Sequence, residues 1–372
     1  MFNGERLKIA REIHGLTQAA LAETTGLDQP FISLAEQTAK IPSDAVLETL
    51  SLATGFPKAF FELGKAPDFP LGSLLFRKKN LSKADAAKIY QLARITMEIF
   101  LALQGRVKPI PVTLPRVDDA EPVQAAQIIR SALGYNPDGP IRGLLNRMER
   151  AGILVFRAPV SLDEFDAFSA WSTEDDSRPV VVLGAPKDGE RDRATAAHEL
   201  GHLAMHRVFL GDLNSVERDA LRFTGELLLP ESDMQQEIGP TITLTRLAEL
   251  KQKWGVSMQF ILWRFEALGL ISPQLKSYWR GRMFKQGWLE DSEPLRMEAE
   301  PPRLLRQILE ACYGAPVDAR KVSRDFGVPP RLVADLLRVN GNSSPSTPAQ
   351  SSKEPRPEGS RDRVLAFRSR PS

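Results

Sequence analysis

Read for the spacing of its apolar positions, the chain has a helical beginning, a short β-rich middle and a helical end. Residues 4–66 carry apolar residues at helical spacing in short runs parted by glycine and proline, which predicts short helices joined by tight turns. Ala87, Ile89, Leu92, Ile95, Ile99 and Leu101 predict a longer helix over 81–104, and the prolines of 108–115 read as a linker. Helical patterns return at 122–134 and 140–151. Three β-rich stretches follow at 153–159, 167–173 and 179–183, and Val180, Val181 and Val182 read as a buried strand. Helices are then expected at 188–206 and 216–229, the second stopped by Pro230, and again at 243–254 and 258–268. Residues 303–312, 317–326 and 329–338 read as a small helical end. Beyond Asn340, serine, proline and arginine dominate, as in a disordered tail. No repeat of fixed period is visible.

Composition narrows the class. The 372 residues suit two or three domains. Apolar residues make up 42%, enough for true cores, yet no apolar run approaches the roughly 18 residues of a membrane span. The charged N-terminus, MFNGERLKIARE, is unlike a signal peptide, and the one cysteine, Cys312, permits no internal disulfide. A cytoplasmic protein without a membrane partner is the simplest expectation. The net charge of +2 says little. Its distribution says more: residues 1–70 hold 6 Lys/Arg against 9 Asp/Glu, whereas 71–110 hold 8 against 2, including Arg77, Lys78 and Lys79.

Residues 17–37, TQAALAETTGLDQPFISLAEQ, have the order of a helix-turn-helix. Thr17 can cap a helix starting at Gln18, Gly26 suits a left-handed turn, Asp28 can cap the next helix, and Ile32 and Ala35 share a core-facing side. Residues 4–64, with GERLKIAREIHGLTQAALAE and IPSDAVLETLSLATGFPKAFF, resemble the XRE (Cro/C1-type) family of DNA-binding domains. The resemblance implies that Gln18 holds a phosphate and that Gln29, Phe31 and Ser33 approach bases of an operator, with two half-sites read by a possible homodimer. Two departures stand out. Pro30 occupies a position that often carries a polar side chain, and the reading helix has no Arg or Lys.

The chemistry concentrates in Ala197-His198-Glu199-Leu200-Gly201-His202. Residues four apart share a helix face, so His198 and His202 can bind one zinc ion, and Glu199 lies beside them as a candidate catalytic base. His206 lies one turn further on. The third ligand must come from downstream, where Asp212, Glu217, Asp219 and Glu226 are candidates. Glu217 is favoured because Ala220, Leu221 and Thr224, mostly small, would let its helix lie close to the first. Residues 167–171 could line the cleft and pair with an extended substrate. The segments around Gly255 and Gly327 also resemble helix-turn-helices and read as packing within a bundle.

Residues 120–290 resemble the ImmA/IrrE family of zinc metallopeptidases. The matching stretches are DGPIRGLLNRMERAGILVF, FDAFSAW, PVVVLG, RDRATAAHELGHLAMH, ERDALRFTGELLLP and WGVSMQFILWRFEALGLIS. The resemblance implies an α+β, thermolysin-like metallopeptidase fold with zinc held by His198, His202 and Glu217, and Glu199 catalytic. Leu221 stands where the family usually has Asn. The expected division is a helix-turn-helix domain at 1–66, a connector and linker at 67–115, the metallopeptidase domain at 116–295, a helical region at 296–339 and a tail at 340–372. The expected function is a DNA-binding transcriptional regulator with a zinc-dependent endopeptidase domain. It would cut an XRE-type repressor, or itself, in a stress or mobile-element response. The alternatives are a ligand-sensing regulator or an antitoxin-like protein with little or no proteolysis.

Overall fold

Every side chain of the three strands is buried, so the sheet needs an apolar layer on each face. The computed structural model describes residues 1–69, 81–118, 120–160, 162, 165–173, 178–206, 212–288 and 293–341. Strands β1 (Leu154–Arg157), β2 (Ala167–Trp171) and β3 (Pro179–Leu183) lie in the order β1-β3-β2, with β3 parallel to β1 and antiparallel to β2. Helices α1 (Gly4–Ile13), α2 (Gln18–Thr25), α3 (Gln29–Glu36), α4 (Asp44–Thr54), α5 (Lys83–Gln104), α6 (Pro122–Ala132) and α7 (Leu144–Arg150) precede the sheet. After it come α8 (Gly189–Met205), α9 (Leu213–Leu228), α10 (Glu231–Glu237), α11 (Leu244–Trp254) and α12 (Met258–Ala267). They are followed by α13 (Pro273–Lys285), α14 (Leu304–Tyr313), α15 (Ala319–Phe326) and α16 (Pro330–Val339). The chain is thus α+β and mostly helical, with one small sheet among the described residues.

Strand side chains alternate between two cores. Leu154, Phe156, Phe168, Ala170, Val180 and Val182 meet residues from α1–α5 and α14–α16. Val155, Ala167, Trp171, Val181 and Leu183 meet residues from α6–α9 and α11–α13. This two-sided burial is why the Val180–Val182 run has no polar alternation.

Of the described residues in the stretch expected to be connector and linker, α5 is built into the first core and Leu114 into the second. The α5 helix buries Ile89, Leu92, Ile95, Ile99 and Leu103, and polar contacts join it to α1. Arg6 forms a two-pronged pair with Glu98 at 2.7 Å, Arg94 pairs with Glu5, and Gln91 Nε2 donates to Glu12 at 2.7 Å. Within 108–115, the Ile110 carbonyl accepts from Arg178 at 3.0 Å and the Thr113 N–H donates to the Ala151 carbonyl at 2.9 Å. Arg77, Lys78, Lys79 and the tail beyond Gly341 lie outside the described residues.

Several boundaries differ from the sequence expectation for local reasons. The expected 140–151 helix begins at Leu144, because Gly143 is left-handed at its N-cap. The expected 216–229 helix begins at Leu213, because the Asp212 side chain accepts from Ser215 N. The periodicity missed α10 and α13. Only Met283 of α13 is fully buried, so that helix offers little apolar stripe to read.

The last described residues are fixed to the sheet, and the start of α14 to α7. Asn340 Oδ1 accepts from Arg157 N at 2.7 Å, and its Nδ2 donates to Arg157 O at 3.1 Å. Glu149 accepts the N–H groups of Arg303 and Leu304, each at 2.8 Å, and so satisfies orphan donors at the start of α14. Burial pushes the Glu149 carboxyl up from the usual 4.5 to about 7, although those N–H groups oppose the shift. The folded chain therefore holds this proton more tightly than the unfolded chain. The contribution of Glu149 to stability is fully present below about pH 4.5 and lost as pH rises through about 7. Thermal melts of the wild type should accordingly lose ground to Glu149→Gln between about pH 5 and about pH 8. Parallel melting curves for the two proteins across that range would refute this assignment.

Candidate metal centre

The site is made where α8 and α9 pack closely. The α8 helix buries Ala197, Leu200 and Ala204 in the second core while His198 and His202 project on one face. Gly201 faces α9, and a Cβ there would lie 2.8 Å from Cδ1 of the buried Phe223 ring. Glycine thus permits an approach that brings Glu217, in the second turn of α9, over the two histidines. The far end of α9 is held by buried arginines. Arg130 Nη1 donates to Leu227 O at 2.6 Å, Arg264 Nε donates to Leu229 O at 2.9 Å, and Arg264 also pairs with Glu226.

Three donor groups converge. His198 Nε2 lies 3.1 Å from His202 Nε2 and 3.1 Å from Glu217 Oε2, and His202 Nε2 lies 3.5 Å from Glu217 Oε1. A tetrahedral ion with bonds of about 2.0–2.1 Å to its ligands needs donors about 3.3–3.4 Å apart, so this triangle fits such an ion. Among the described residues these three form a group able to hold a metal, their ligand atoms all within 4.8 Å of one another. Hydrogen bonds from His198 and His202 hold the Glu217 carboxyl well below the usual carboxylate range. Glu217 is thus an anionic donor beside two imidazoles.

The surroundings fix both ligand and base. His202 Nδ1 lies 3.3 Å from His206 Nδ1. Burial first, and then His202, lower the His206 pKa to about 4, so a neutral His206 can accept from the His202 Nδ1–H. With Nδ1 donating to His206, His202 would keep its Nε2 lone pair for a metal ion once the ion replaces the hydrogen bond to Glu217. Glu199 is buried, and its Oε2 accepts from Ser169 Oγ at 2.7 Å. Ser169 Oγ also lies 3.1 Å from the Glu199 carbonyl, and Trp171 Nε1 donates to Leu203 O at 2.9 Å. Leu203 O lies in the last turn of α8, where carbonyls have no helical partner, and the adjacent Ala204 O accepts from Val117 N at 3.3 Å.

Sequence reading overlooked Ser169 and Trp171 as supports of the site. Their signal is the period of two in Ala167, Ser169 and Trp171, which sets all three against α8. Other candidate ligands have different partners. Asp212 caps α9, and Glu226 is tied to Arg264. Asp219 lies outside the converging group. Leu221 is 37% exposed.

The candidate DNA-contacting residues cluster on α2 and α3, a helical arrangement compatible with a helix-turn-helix. Gln29 Nε2 donates to Gln18 Oε1 at 2.9 Å, and Gln18 Nε2 donates to Glu36 at 2.7 Å. Phe31 is half-buried beneath the Lys40 ammonium, 4.7 Å from the ring centre. Ser33 is half-buried, and Gln37 Nε2 donates to its hydroxyl at 3.4 Å.

Residues 148–266 match the peptidase M78 family model, described as the IrrE N-terminal-like domain. The match runs from α7 to α12 and includes the sheet, α8 and α9, so this part of the chain is similar to a metallopeptidase domain. No curated protein matches the chain. Among the described residues no helix is long and apolar enough to cross a membrane.

Two outcomes follow. His206→Ala should weaken zinc binding about 10–100-fold while keeping a single site, because His202 loses its orienting partner. Competition with a chromophoric chelator measures this, and unchanged affinity would remove the role given to His206. Gly201→Ala should lower the melting temperature. Overpacking of about 1–3 kcal/mol outweighs the gain of about 1 kcal/mol in helix propensity. A melting temperature equal to or above wild type would contradict the close packing at Phe223.

Proposed function

We propose that the chain is a zinc-dependent endopeptidase of thermolysin-like design, directed to operator DNA by its N-terminal helices. Its substrate would be a protein, either an XRE-type repressor or the chain itself. The observation that carries the peptidase reading is the His198, His202 and Glu217 triangle with the buried Glu199 carboxylate on the same helix. Zinc, when bound there, would supply a Lewis acid for the scissile carbonyl and the attacking water.

The residues then have distinct tasks. Glu199 takes the proton of the attacking water and delivers a proton to the leaving amine. Ser169 orients Glu199 through its hydroxyl. His206 keeps His202 in the tautomer that binds metal. Strand β2 ends the three-stranded sheet on the side nearest α8, so an extended peptide could add beside it. On α2 and α3, Gln18, Gln29, Phe31 and Ser33 would meet the operator, with two chains reading two half-sites.

The test is paired. Zinc is quantified in wild type and in Glu199→Gln, and each is incubated with XRE-type repressors encoded beside it, with and without DNA. About one zinc per chain in both proteins, with fragments from wild type alone, is the expected result. Zinc in both and fragments in neither would replace the protease with a regulator that senses without cutting. Wild type without zinc would overturn the reading altogether.

A further inference from the structure

The chain contains the helix pair α2–α3 of its N-terminus a second time. Helices α15 and α16 follow the plan of α2 and α3, and each matched position lies 301 residues after its counterpart. Thr17 and Asp318 cap the first helix of each pair through their side chains. Each of those helices is eight residues long and ends at a left-handed glycine, Gly26 at φ 68° and Gly327 at φ 61°. The turn bond recurs as Leu27 N to Ala22 O at 3.1 Å and Val328 N to Ser323 O at 3.3 Å. Leu21, Ile32 and Ala35 are buried, as are Val322, Val333 and Leu336. The resemblance to a helix-turn-helix at Gly327 thus extends to cap, turn and buried positions of both helices. The comparable turn at Gly255 differs in its surroundings, because none of residues 258–266 on the helix that follows is exposed.

The two units carry opposite charge. Residues 1–69 hold 6 Lys/Arg against 9 Asp/Glu, whereas 303–341 hold 7 against 4. On α15, Arg320, Lys321 and Arg324 are exposed, and none is in an ion pair among the described residues. Their counterparts on α2 are Ala19, Ala20 and Glu23. On α16, Arg331, Ala334 and Arg338 form an exposed stripe, with the two arginine side chains 94% and 69% exposed. Their counterparts on α3 are Pro30, Ser33 and Gln37. The acidic groups nearby are accounted for. Asp325 is held by Tyr313 at 2.7 Å and Arg106 at 3.2 Å, and Asp335 pairs loosely with Arg338 at 3.4 Å and Arg331 at 3.9 Å.

We propose that α15 and α16 form a second helix-turn-helix, and that this pair supplies the phosphate-gripping surface for duplex DNA, with α16 in the major groove. Affinity for DNA arises chiefly from cations that displace counterions from phosphates, and α2 and α3 of the N-terminal unit carry no Lys or Arg. The small Ala334 between Arg331 and Arg338 lets the α16 backbone approach base edges. Double-stranded RNA fits this helix poorly, because its major groove is too narrow for side chains to read.

The experiment uses the full chain and a short, labelled, mixed-sequence DNA duplex, with anisotropy followed from about 50 to about 200 mM salt. Combining Arg320→Ala, Lys321→Ala and Arg324→Ala should weaken binding at least about tenfold. It should also lower the slope of log affinity against log salt by about 0.9 for each phosphate that is no longer neutralised. Arg331→Glu alone, at the most exposed of these positions, should weaken binding in the same direction. Arg320→Lys with Arg324→Lys should keep the slope. An alanine triple variant that binds as wild type does, with the same slope, would overturn the proposal. So would wild type that binds single-stranded RNA but not the duplex. Zinc and proteolysis do not enter this readout, so its failure is distinct from failure of the peptidase reading.

Discussion

Burial of the three-stranded sheet on both faces is the constraint on which the rest of the structure depends. A strand must alternate its side chains, so β1 and β3 serve two cores with one backbone. The α8 face holds Val155, Val181 and Leu183, while the opposite face presents Phe156, Val180 and Val182 to the core shared by α1–α5 and α14–α16. The helices that carry the candidate ligands and those that carry the candidate DNA surfaces therefore rest on opposite sides of one thin wall. The α1–α5 ion pairs make the N-terminal helices part of that packing rather than a tethered appendage.

Within the second core, the ligand geometry depends on where helix ends find hydrogen-bond partners. The last carbonyls of α8 are taken by Trp171 and the Val117 backbone, and those at the end of α9 by Arg130 and Arg264. Each contact fixes the axial position and rotation of its helix. The glycine contact at Phe223 then sets the separation between them. Three donor atoms can lie a few ångströms apart only if all of these are satisfied together.

How much of this was legible in the sequence depends on the range of the interaction. His198 and His202 are four residues apart, so helix geometry alone puts them on one face. Glu217 lies on another helix, and its selection rested on small residues nearby. Its location in the second turn of α9 follows from the cap at Asp212, a residue weighed as a ligand rather than as a cap. Ser169 and Trp171 could not be assigned without knowing that β2 crosses α8. The 108–115 prolines suggested a linker because sequence does not reveal that backbone groups such as Ile110 O are claimed from afar by Arg178. Around Gly327 the helix-turn-helix pattern was visible but its correspondence with residues 17–37 was not, because the matched core positions share apolar character and not identity: Leu21 with Val322, Ile32 with Val333, Ala35 with Leu336.

Asn340 accepts from and donates to the backbone of Arg157, so the last described helix is stitched to the first strand. This bears on how the chain can be divided. A fragment cut to the limits of the similar peptidase domain would keep the sheet and lose the layer over Phe156, Phe168, Val180 and Val182. Those side chains would face water as a contiguous apolar surface, of the kind that drives self-association. The peptidase-like part of this chain is therefore not portable by itself: its fold needs the helices that precede and follow it as a lining, and recombination that moves one without the others leaves an adhesive sheet.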